Sequence, residues 1–452
     1  MSKTVKIKKG ADIKLVGKAE KIYADYTPAF ESVSIKPTDF HGVIPKVLAK
    51  PGTKVKAGTP LFYDKDNPKV KFCSPVSGEV SEIVRGEKRR ILEFRIKVDG
   101  KNEYETFSVG DLSNLTGEQI KEIMLERGLW PFVIQRPFDV IANPDDEPKA
   151  IFISAFDSNP LAPDNDFILH GQAELFQLGI DLIAKLTKGK VHLNVSGNQK
   201  PDDVFLNTKN VQINKIYGPH PAGNVGVQIH HIDPINKGDI VWTLKPQDIL
   251  TIARTFKEGK LDLSRVIAVC GSGIKKPRYY KTIAGVPVSE FLKDNLKTDR
   301  EYRVVSGNPL TGEKVAEDNY LGFYHYQLTV IPEGNHYQFL GWLAPNFNKF
   351  SLNRTFFSWL MPNKEYDLDT NMNGEERAFV VTGEYEKVFP FDIYPVHLVK
   401  AAIIQDIEAL ENLGIYEVAP EDYALCEFAC TSKIPSQKII REGLDLVKKE
   451  CA

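Results

Sequence analysis

The sequence predicts a multidomain protein of the α/β plus α+β class, with an all-β domain at its start and a helical domain at its end. Its 452 residues exceed the size at which one hydrophobic core usually stops growing. Short valine-rich runs separated by glycine and proline occupy residues 41–86, and continuous apolar runs alternate with amphipathic segments from about residue 101. A composition of 42% hydrophobic and 26% charged residues excludes wholesale disorder.

The charge is distributed unevenly along the chain. Residues 1–100 carry 21 Lys or Arg and 12 Asp or Glu, whereas the remainder carries 37 and 48, so the first part is basic and the rest acidic. A basic face fits contact with anionic lipid head groups or an acidic subunit, and a simply solvated surface is the alternative. Because the patterning of arginine with aromatic residues is missing, we expect no nucleic-acid partner.

Cysteine usage and the N-terminus both indicate a reducing cytoplasmic compartment. The five cysteines are too few and too scattered for a disulfide framework, and MSKTVKIKKG lacks the apolar core of a signal peptide. No apolar run approaches 18 residues, so the sequence predicts no membrane span. Cys73 and Cys270 have strand-like neighbours and are predicted to be small core residues.

The first domain, predicted at residues 1–100, resembles the biotinyl/lipoyl-like hammerhead. The resemblance lies in "VLAKPGTKVKAGTPL" followed by "CSPVSGEVSEIVRG", where glycines turn the chain between short strands of a flattened β barrel. In lipoyl domains a lysine on an exposed hairpin carries the cofactor, and the candidate here is Lys65. Leu61 stands only four positions earlier, closer than a carrier hairpin normally allows, so we expect Lys65 to be an unmodified hairpin tip.

Residues 101–258 are predicted to form a Rossmann-like α/β domain. Thr116 and Gln119 form a capping-box pattern before a helix. A strand at 150–156 precedes a helix at 172–187, which leads to the strands "VHLNVSG" and "VQINKIYG". Continuous apolar runs separated by amphipathic helices indicate a buried, largely parallel sheet, and a last helix is predicted at 246–258.

Two loops that leave the ends of these strands, at 157–164 and 218–234, form the predicted ligand edge of the sheet. Glycines there would let backbone N–H groups approach a planar or anionic ligand, although they match neither the dinucleotide fingerprint nor a P-loop. The alternative, that the glycines only shape a long loop, stays open. The candidate ligand-binding residues are Asp157, Asn159, Gly218, His220, Gly223 and Gly226.

Neither a metal site nor a catalytic group stands out. His220, His230 and His231 lie near Asp233 without a regular ligand spacing, so we expect no metal. No acid/base pair and no activated nucleophile is recognisable, so no catalytic residue is predicted.

Three further parts are predicted downstream. Residues 259–335 are predicted to form a compact α+β module. Residues 376–452 are predicted to form a helical domain with two helices, one over "VHLVKAAIIQDIEALENLG" and one over "PSQKIIREGLDLVKKE". Between them, the connecting segment 336–375 is unusually aromatic, which is typical of a partner-binding or membrane-interface surface or of aromatic packing between two domains. The interface candidates are Trp342, Phe347, Phe357 and Trp359.

Taken together, "FISAFDSNPLAPD", "YGPHPAGNVGVQIHHIDPI", "FLGWLAPNFNKFS" and "GEERAFVVTGEYEKVFPFDIYPVHLVKAAIIQDIEALENLG" resemble the NqrA subunit of the sodium-translocating NADH:quinone oxidoreductase. The resemblance runs nearly end to end. That family is more distantly similar to the flavin and iron-sulfur subunit of respiratory complex I and to the RnfC subunit of the Rnf complex. These relatives imply a β-grasp (SLBB-like) module at 259–335 and a helical bundle at the C-terminus.

Departures from those relatives bear on the cofactors. Flavin-binding relatives place an acid-x-acid-Pro element after the strand, whereas here Asp157 and Ser158 are followed by Asn159 and Pro160, so one carboxylate has become an amide. The C-terminal region has a CxxxC pair and one distant cysteine, too few thiolates for a [4Fe-4S] cluster. The resemblance therefore implies a subunit that binds no redox cofactor of its own.

What the resemblance implies is a peripheral subunit on the cytoplasmic face of the bacterial inner membrane, implicated in quinone reduction. It also makes the six ligand-binding candidates of the two loops the candidates for binding quinone. NADH, flavins and iron centres would belong to five partner subunits, chiefly a flavin-carrying membrane subunit, and quinone would be the substrate of the sodium-exporting complex. Two alternatives are a stand-alone flavin or quinone oxidoreductase and a purely structural assembly subunit.

Overall fold

The computed structural model describes residues 2–25, 29–341 and 346–451. Its strands are β1 (Thr4–Lys6), β2 (Ser32–Ile35), β3 (Pro45–Val47), β4 (Lys54–Val55), β5 (Pro60–Asp64), β6 (Lys71–Cys73), β7 (Gly78–Arg85), β8 (Ile91–Val98), β9 (Ile134–Arg136), β10 (Val140–Ile141), β11 (Ala150–Ser154), β12 (Lys190–Ser196), β13 (Gln212–Tyr217), β14 (Val241–Leu244), β15 (Ser264–Cys270), β16 (Arg278–Ile283), β17 (Tyr302–Ser306), β18 (Glu313–Lys314) and β19 (Gln327–Pro332). Its α-helices are α1 (Gly117–Glu126), α2 (Asn165–Leu169), α3 (Ala173–Ala184), α4 (Asp203–Leu206), α5 (Val225–Ile232), α6 (Pro246–Glu258), α7 (Ser289–Leu292), α8 (Glu384–Val388), α9 (Pro395–Ile403), α10 (Ile407–Asn412), α11 (Ala424–Ala429) and α12 (Ser436–Cys451).

The N-terminal domain is the predicted β barrel, built from the sheets β2-β8-β7-β4 and β3-β5-β6. In its core, the ring of Phe62 stacks on Phe72 at 4.5 Å and on Phe94 at 4.9 Å between centroids. Lys65 is exposed immediately after β5, where its backbone N–H donates to Ile44 O at 2.8 Å.

The α/β domain contains a sheet in the order β1-β13-β12-β11-β14-β9-β10. Its centre is parallel, as predicted, and β9 and β10 add an antiparallel edge. Strand β1 lies outside the range 101–258 that the sequence predicts for this domain. It pairs in parallel with β13, Val5 opposite Ile216. Pairing across more than 200 residues leaves no local pattern in the sequence.

Helix boundaries in this domain follow the local signals closely. The capping box of α1 is confirmed, since Thr116 N donates to Gln119 Oε1 at 2.9 Å and Gln119 N to Thr116 Oγ1 at 3.3 Å. Helix α6 begins at Pro246 and ends at Glu258, and its C-cap residue Gly259 has a φ of 64° that favours glycine. Helix α3 packs so closely on α6 that a Cβ at Gly179 would lie 2.5 Å from the side chain of Ile249.

Residues 264–332 form the β-grasp sheet β16-β15-β19-β17-β18, with the short helix α7. The strands β15 and β19 are parallel neighbours at its centre. Phe323 joins this module to the two preceding domains, because its ring contacts Phe40 of the barrel at 4.9 Å and Phe132 of the α/β domain at 5.1 Å. Cys73 and Cys270 are buried, as predicted, and burial raises the pKa of both thiols to about 12.

The C-terminal domain is helical, but the prediction of one continuous helix over "VHLVKAAIIQDIEALENLG" is wrong. The chain ends α9 at Ile403 and starts α10 at Ile407. Gln405 adopts a left-handed φ of 57°, and Asp406 Oδ1 accepts the N–H of Ala409 at 3.0 Å as an N-cap. Within the described residues, no helix is long and apolar enough to cross a membrane.

Candidate functional site

The strands β11, β12 and β13 end at one edge of the sheet, where the two predicted loops meet. Ser158 of the first loop lies between Gly223 and His220 of the second loop. Its Oγ accepts the N–H of Gly223 at 2.8 Å and lies 3.0 Å from Nδ1 of His220. The structure therefore brings the neighbourhoods of Asp157 and His220 together, although sequence analysis did not single out Ser158.

Asp157 and Asn159 form a turn that is closed by hydrogen bonds between these two residues. Asp157 is exposed, and its Oδ1 accepts both the backbone N–H and the side-chain Nδ2 of Asn159 at 2.8 Å. The Oδ1 atom of Asn159 is buried and has no hydrogen-bond partner among the described residues. An acceptor in this position is left for a ligand or a water molecule to satisfy.

His220 lies deepest in the site, with only 1% of its surface exposed. Its backbone N–H donates to Asp12 Oδ1 at 2.9 Å, and its carbonyl accepts the N–H of Ala11 at 2.8 Å. The ring atom Nε2 is buried without a partner in the part of the chain that the structure describes. Burial lowers the pKa of His220 to about 4 against the opposing charges of Asp157 and Asp12, so the imidazole is neutral at pH 7.

The glycines of the second loop contact the protein itself. A Cβ at Gly223 would lie 2.4 Å from Ser158 N, and a Cβ at Gly226 would lie 2.7 Å from Asp422 Oδ2. Gly218 has a φ of 139°, and its Cβ would meet Ile7 O at 2.4 Å. Within this loop, 218–234, the space beside these three glycines is thus filled by the protein's own atoms, which favours the alternative in which the glycines shape the loop and its packing. We call it the filled loop.

A buried network of side-chain amides, which sequence analysis missed, joins the strands of the sheet to the filled loop. Asn214 Nδ2 donates to Asn194 Oδ1 at 2.8 Å, and Asn194 Nδ2 donates to Gln228 Oε1 at 2.8 Å. Gln228 Nε2 then donates to Ser154 Oγ at 2.8 Å and to Ala222 O at 3.0 Å. The available signal was the placement of asparagines within strands that were otherwise predicted to be apolar and buried.

A buried ion cluster, also missed, attaches the C-terminal domain to the same region. Arg136 donates from Nη2 to Glu421 Oε1 at 2.6 Å and from Nη1 to Asp422 Oδ2 at 3.4 Å, and its Nε lies 3.3 Å from Asp139 Oδ1. Burial raises the pKa of Glu421 to about 7 and also raises that of Asp422, against the opposing charge of Arg136. Asn224 Nδ2 adds a 3.3 Å hydrogen bond to Glu421 O.

Three of the four interface candidates lie on an exposed aromatic surface, which we define as Phe347, Phe357 and Trp359. Their exposed fractions are 53%, 46% and 47%, and the rings of Phe347 and Phe357 lie 5.6 Å apart. The guanidinium of Arg354 lies 5.3 Å from the ring of Trp359. The fourth candidate, Trp342, lies outside the described residues. Other aromatic residues of the segment do pack between parts of the chain.

That inward packing anchors the segment. Phe350 contacts the ring of Tyr366 at 5.5 Å and that of Phe428 of the helical domain at 5.9 Å. Backbone hydrogen bonds join Tyr366 to the N-terminal segment, from Tyr366 N to Lys14 O at 2.8 Å and from Val16 N to Tyr366 O at 3.0 Å. Packing between parts of the chain is therefore found for the inward-facing aromatic residues, and the partner-binding or membrane-interface role of the exposed ones stays a prediction.

Family models match most of the chain. The NqrA N-terminal barrel-sandwich hybrid domain matches residues 5–99, the NqrA second alpha/beta domain 115–261, and the NQRA C-terminal domain 266–317. The NqrA subunit of a Na(+)-translocating NADH-quinone reductase from Neisseria meningitidis serogroup B is 38% identical over 99% of this chain and 100% of its own length. The chain belongs to the NqrA family.

Other members of the NqrA family are nearly as similar. Those from Pasteurella multocida and Rhodopirellula baltica are each 36% identical, the first over 99% of this chain and 100% of its own, the second over 98% of both. Among solved structures, an NAD+-reducing [NiFe]-hydrogenase in the air-oxidized state is similar with a TM-score of 0.36 and 13% identity over 50% of this chain and 48% of that chain. The family predicted from the sequence is confirmed, and with it the interpretation of the chain as one subunit of this reductase.

The other two histidines considered as metal ligands in this NqrA family member, His230 and His231, have structural partners. His230 Nδ1 lies 2.6 Å from Glu417 Oε2, and His230 Nε2 accepts the N–H of Asp392 at 3.1 Å. His231 Nδ1 lies 2.9 Å from Val227 O. Among the described residues, no group of three or more His, Cys, Asp or Glu side chains is arranged to hold a metal ion.

Proposed function

We propose that this subunit lies peripherally at the cytoplasmic face of the bacterial inner membrane and takes part in reducing quinone while the complex exports Na+. The chain holds no redox cofactor, and its electrons come from NADH through flavins and iron centres in partner subunits. The observation that carries the proposal is the filled loop at the sheet edge, in a chain 38% identical end to end to the NqrA subunit of a reductase.

The filled loop supports the absence of a bound flavin at this edge. A flavin or nucleotide on a glycine-rich loop needs free backbone N–H groups and open space above the glycines. Here the N–H of Gly223 donates to Ser158, and the space beside Gly226 holds the carboxylate of Asp422. Asn159 adds a neutral amide at the position where the flavin-binding relatives have a second acid.

The aromatic surface supports docking on a membrane subunit. Partner-binding surfaces are enriched in aromatic residues and arginine relative to the rest of a protein surface. Phe347, Phe357 and Trp359 are about half exposed and have Arg354 beside them. We assign this surface to the flavin-carrying membrane subunit, chief among five partners.

Removing the subunit from the intact complex tests the role in quinone reduction. We expect a complex without it to oxidise NADH with an artificial electron acceptor and to lose quinone reduction. The full chain, purified alone, should contain neither flavin nor iron in stoichiometric amount. Bound flavin with NADH-dependent bleaching would instead establish the stand-alone oxidoreductase alternative.

Charge substitutions test the docking surface. The variant Phe357→Asp with Trp359→Asp should release the subunit from membranes that hold the other subunits, because a carboxylate cannot be buried there without a partner. The matched control is Ile44→Asp with Leu48→Asp, at residues 47% and 48% exposed on the barrel. Equal retention of both variants would contradict the assigned surface. If the variant subunit is released from the membranes while quinone reduction stays intact, the role of the subunit is purely structural.

A further inference from the structure

The hairpin formed by β7 and β8 ends in a strongly basic turn, residues 85–90, which we call the basic tip. It carries four exposed cations and one exposed acid: Arg85, Lys88, Arg89, Arg90 and Glu87. Strand β2 pairs with β8 as far as Phe94, and the segment leading into β4 hydrogen-bonds to β7 as far as Val80. Beyond these points, within the described residues, β7 and β8 pair only with each other. The basic tip is therefore the free end of a two-stranded ribbon.

The positive charge of the basic tip is not neutralised by the protein. Among the residues that the structure describes, none of its four cations forms an ion pair with a carboxylate. The next arginine along the ribbon differs, because Arg95 donates from Nε to Glu93 Oε2 at 2.8 Å and from Nη1 to Glu82 Oε2 at 3.2 Å. Part of the excess positive charge of residues 1–100 is thus concentrated, without counter-charge, at this one turn.

Hydrogen bonds and backbone angles fix the conformation of the basic tip. Gly86 N donates to Arg90 O at 2.9 Å, and Arg85 Nη1 donates to Arg89 O at 3.0 Å. Lys88 and Arg89 adopt left-handed φ values of 50° and 61°. Glycine and asparagine adopt such values at lower cost than lysine or arginine does. Two cations therefore occupy positions at which uncharged residues would be more stable.

We propose that the basic tip binds the phosphate groups of anionic lipids at the membrane surface. This inference deepens the peripheral location given under the proposed function and rests on it. Three of the four cations are arginines, whose guanidinium groups match phosphate oxygens in bidentate pairs. Clusters of about four or more cations are attracted to anionic lipid by charge alone.

The composition of the basic tip favours a lipid over a protein partner. The cores of protein interfaces are enriched in aromatic residues and depleted in charge. Residues 85–90 contain no aromatic residue, and glycine is their one uncharged member. Binding of this turn therefore depends on charge, which a lipid surface supplies without any matching shape.

Vesicle co-sedimentation of the full chain tests the proposal. The chain should bind vesicles of phosphatidylglycerol mixed with phosphatidylcholine and should not bind vesicles of phosphatidylcholine alone. Binding should be lost at about 1 M salt, where the Debye length is about 3 Å. Absence of binding to the anionic vesicles, equal binding to both kinds, or binding that survives the salt would overturn the proposal.

The variant Lys88→Asn with Arg89→Gly separates charge from folding. It removes two cations and places favoured residues at the left-handed positions, so in thermal unfolding it should be at least as stable as the wild type. Its affinity for anionic vesicles should fall about twentyfold, since each cation near such a surface contributes about fivefold. The matched control is Lys50→Gln with Lys54→Gln, two exposed lysines toward the other end of β7, where Lys54 lies opposite Glu79. Equal affinities of the two variants would contradict the assigned surface.

Removing the one acid of the basic tip should have the opposite effect. Glu87→Gln leaves all four cations in place and should raise the affinity for anionic vesicles several-fold. The same sedimentation assay measures this gain, which a general loss of folding cannot imitate. An affinity equal to or below that of the wild type would count against lipid binding at this turn.

The failure of this inference is distinguishable from that of the proposed function. If the Lys88 and Arg89 variant leaves membranes that hold the other subunits but binds anionic vesicles like the wild type, the basic tip contacts an acidic protein, and the lipid proposal fails. If a complex without this subunit reduces quinone at the normal rate, the proposed function fails. That result leaves the vesicle measurements unaffected, because they contain no other subunit.

Discussion

Arg136 at the end of β9 and Glu421 of the helical domain, 285 residues apart in the chain, are joined by a 2.6 Å hydrogen bond. The guanidinium side chain is only 2% exposed and also contacts Asp139 and Asp422. One buried cation is therefore shared by three carboxylates, and this cluster ties the C-terminal helices to the domain that carries the candidate site.

Removing that cation should be strongly destabilising. We expect Arg136→Met to lower the free energy of unfolding by about 3–5 kcal/mol, because it leaves the fully buried carboxylate of Asp422 without its partner. Urea unfolding measures the change. The matched control is Arg95→Met, at an arginine 38% exposed beside Glu93 and Glu82, where we expect less than about 1 kcal/mol. Equal losses in both variants would contradict the role of burial.

The stability should also fall in mild acid because of His192. Burial lowers the pKa of His192 to about 4 from an ordinary value of 6.5, so between these values the unfolded chain binds the proton and the folded chain does not. The stabilisation is present above pH 6.5 and is lost as the pH falls toward 4. His192→Gln should reduce the slope of stability against pH by up to about one proton in that window.

A substitution of Phe152, whose ring stacks on that of His192, is the control for the change in slope. Phe152 lies 4.4 Å from His192 between ring centroids, and Phe152→Leu removes the stack without removing the titrating group. We expect this variant to lower stability at every pH and to keep the wild-type slope. Thermal unfolding at pH 4.5, 5.5 and 7 distinguishes the two, and a reduced slope in the phenylalanine variant would disprove the assignment.

A methyl group at Gly223 should disturb the filled loop at the sheet edge. Its Cβ would lie 2.4 Å from the backbone nitrogen of Ser158, which cannot move like the end of a flexible side chain. We expect Gly223→Ala to cost about 1–3 kcal/mol in the free energy of unfolding. Gly374→Ala is the control, since its Cβ would meet only the Lys433 side chain at 3.3 Å. A neutral Gly223→Ala would mean that the loop has room for a ligand.

The break between α9 and α10 can be tested at Gln405. A side chain at φ 57° is strained, so Gln405→Gly should raise the free energy of unfolding by about 0.5–1 kcal/mol after the entropy cost of glycine is deducted. Gln405→Val should lower it, because a β-branched residue tolerates this conformation worst. Chemical unfolding of the three proteins gives the order, and a more stable valine variant would contradict the strain.

Local patterns predicted the elements that depend on neighbouring residues. Helix α6 starts and ends at its predicted residues because proline and glycine restrict or permit particular φ values on their own. The parallel strands followed from continuous apolar runs. The sequence did not predict the break at Gln405, because the apolar spacing of residues 396–414 continues through this position although the helical backbone conformation does not.

The sequence by itself determined the order of domains, the parallel centre of the sheet and the two loops at its edge, since hydrophobic periodicity and turn residues act over a few positions. It also determined the family. Only the tertiary structure decided that β1 joins that sheet, that Arg136 meets Glu421, and that Asp12 accepts the backbone N–H of His220. Such contacts join residues more than 200 positions apart, and their energies depend on burial and geometry that no local pattern encodes.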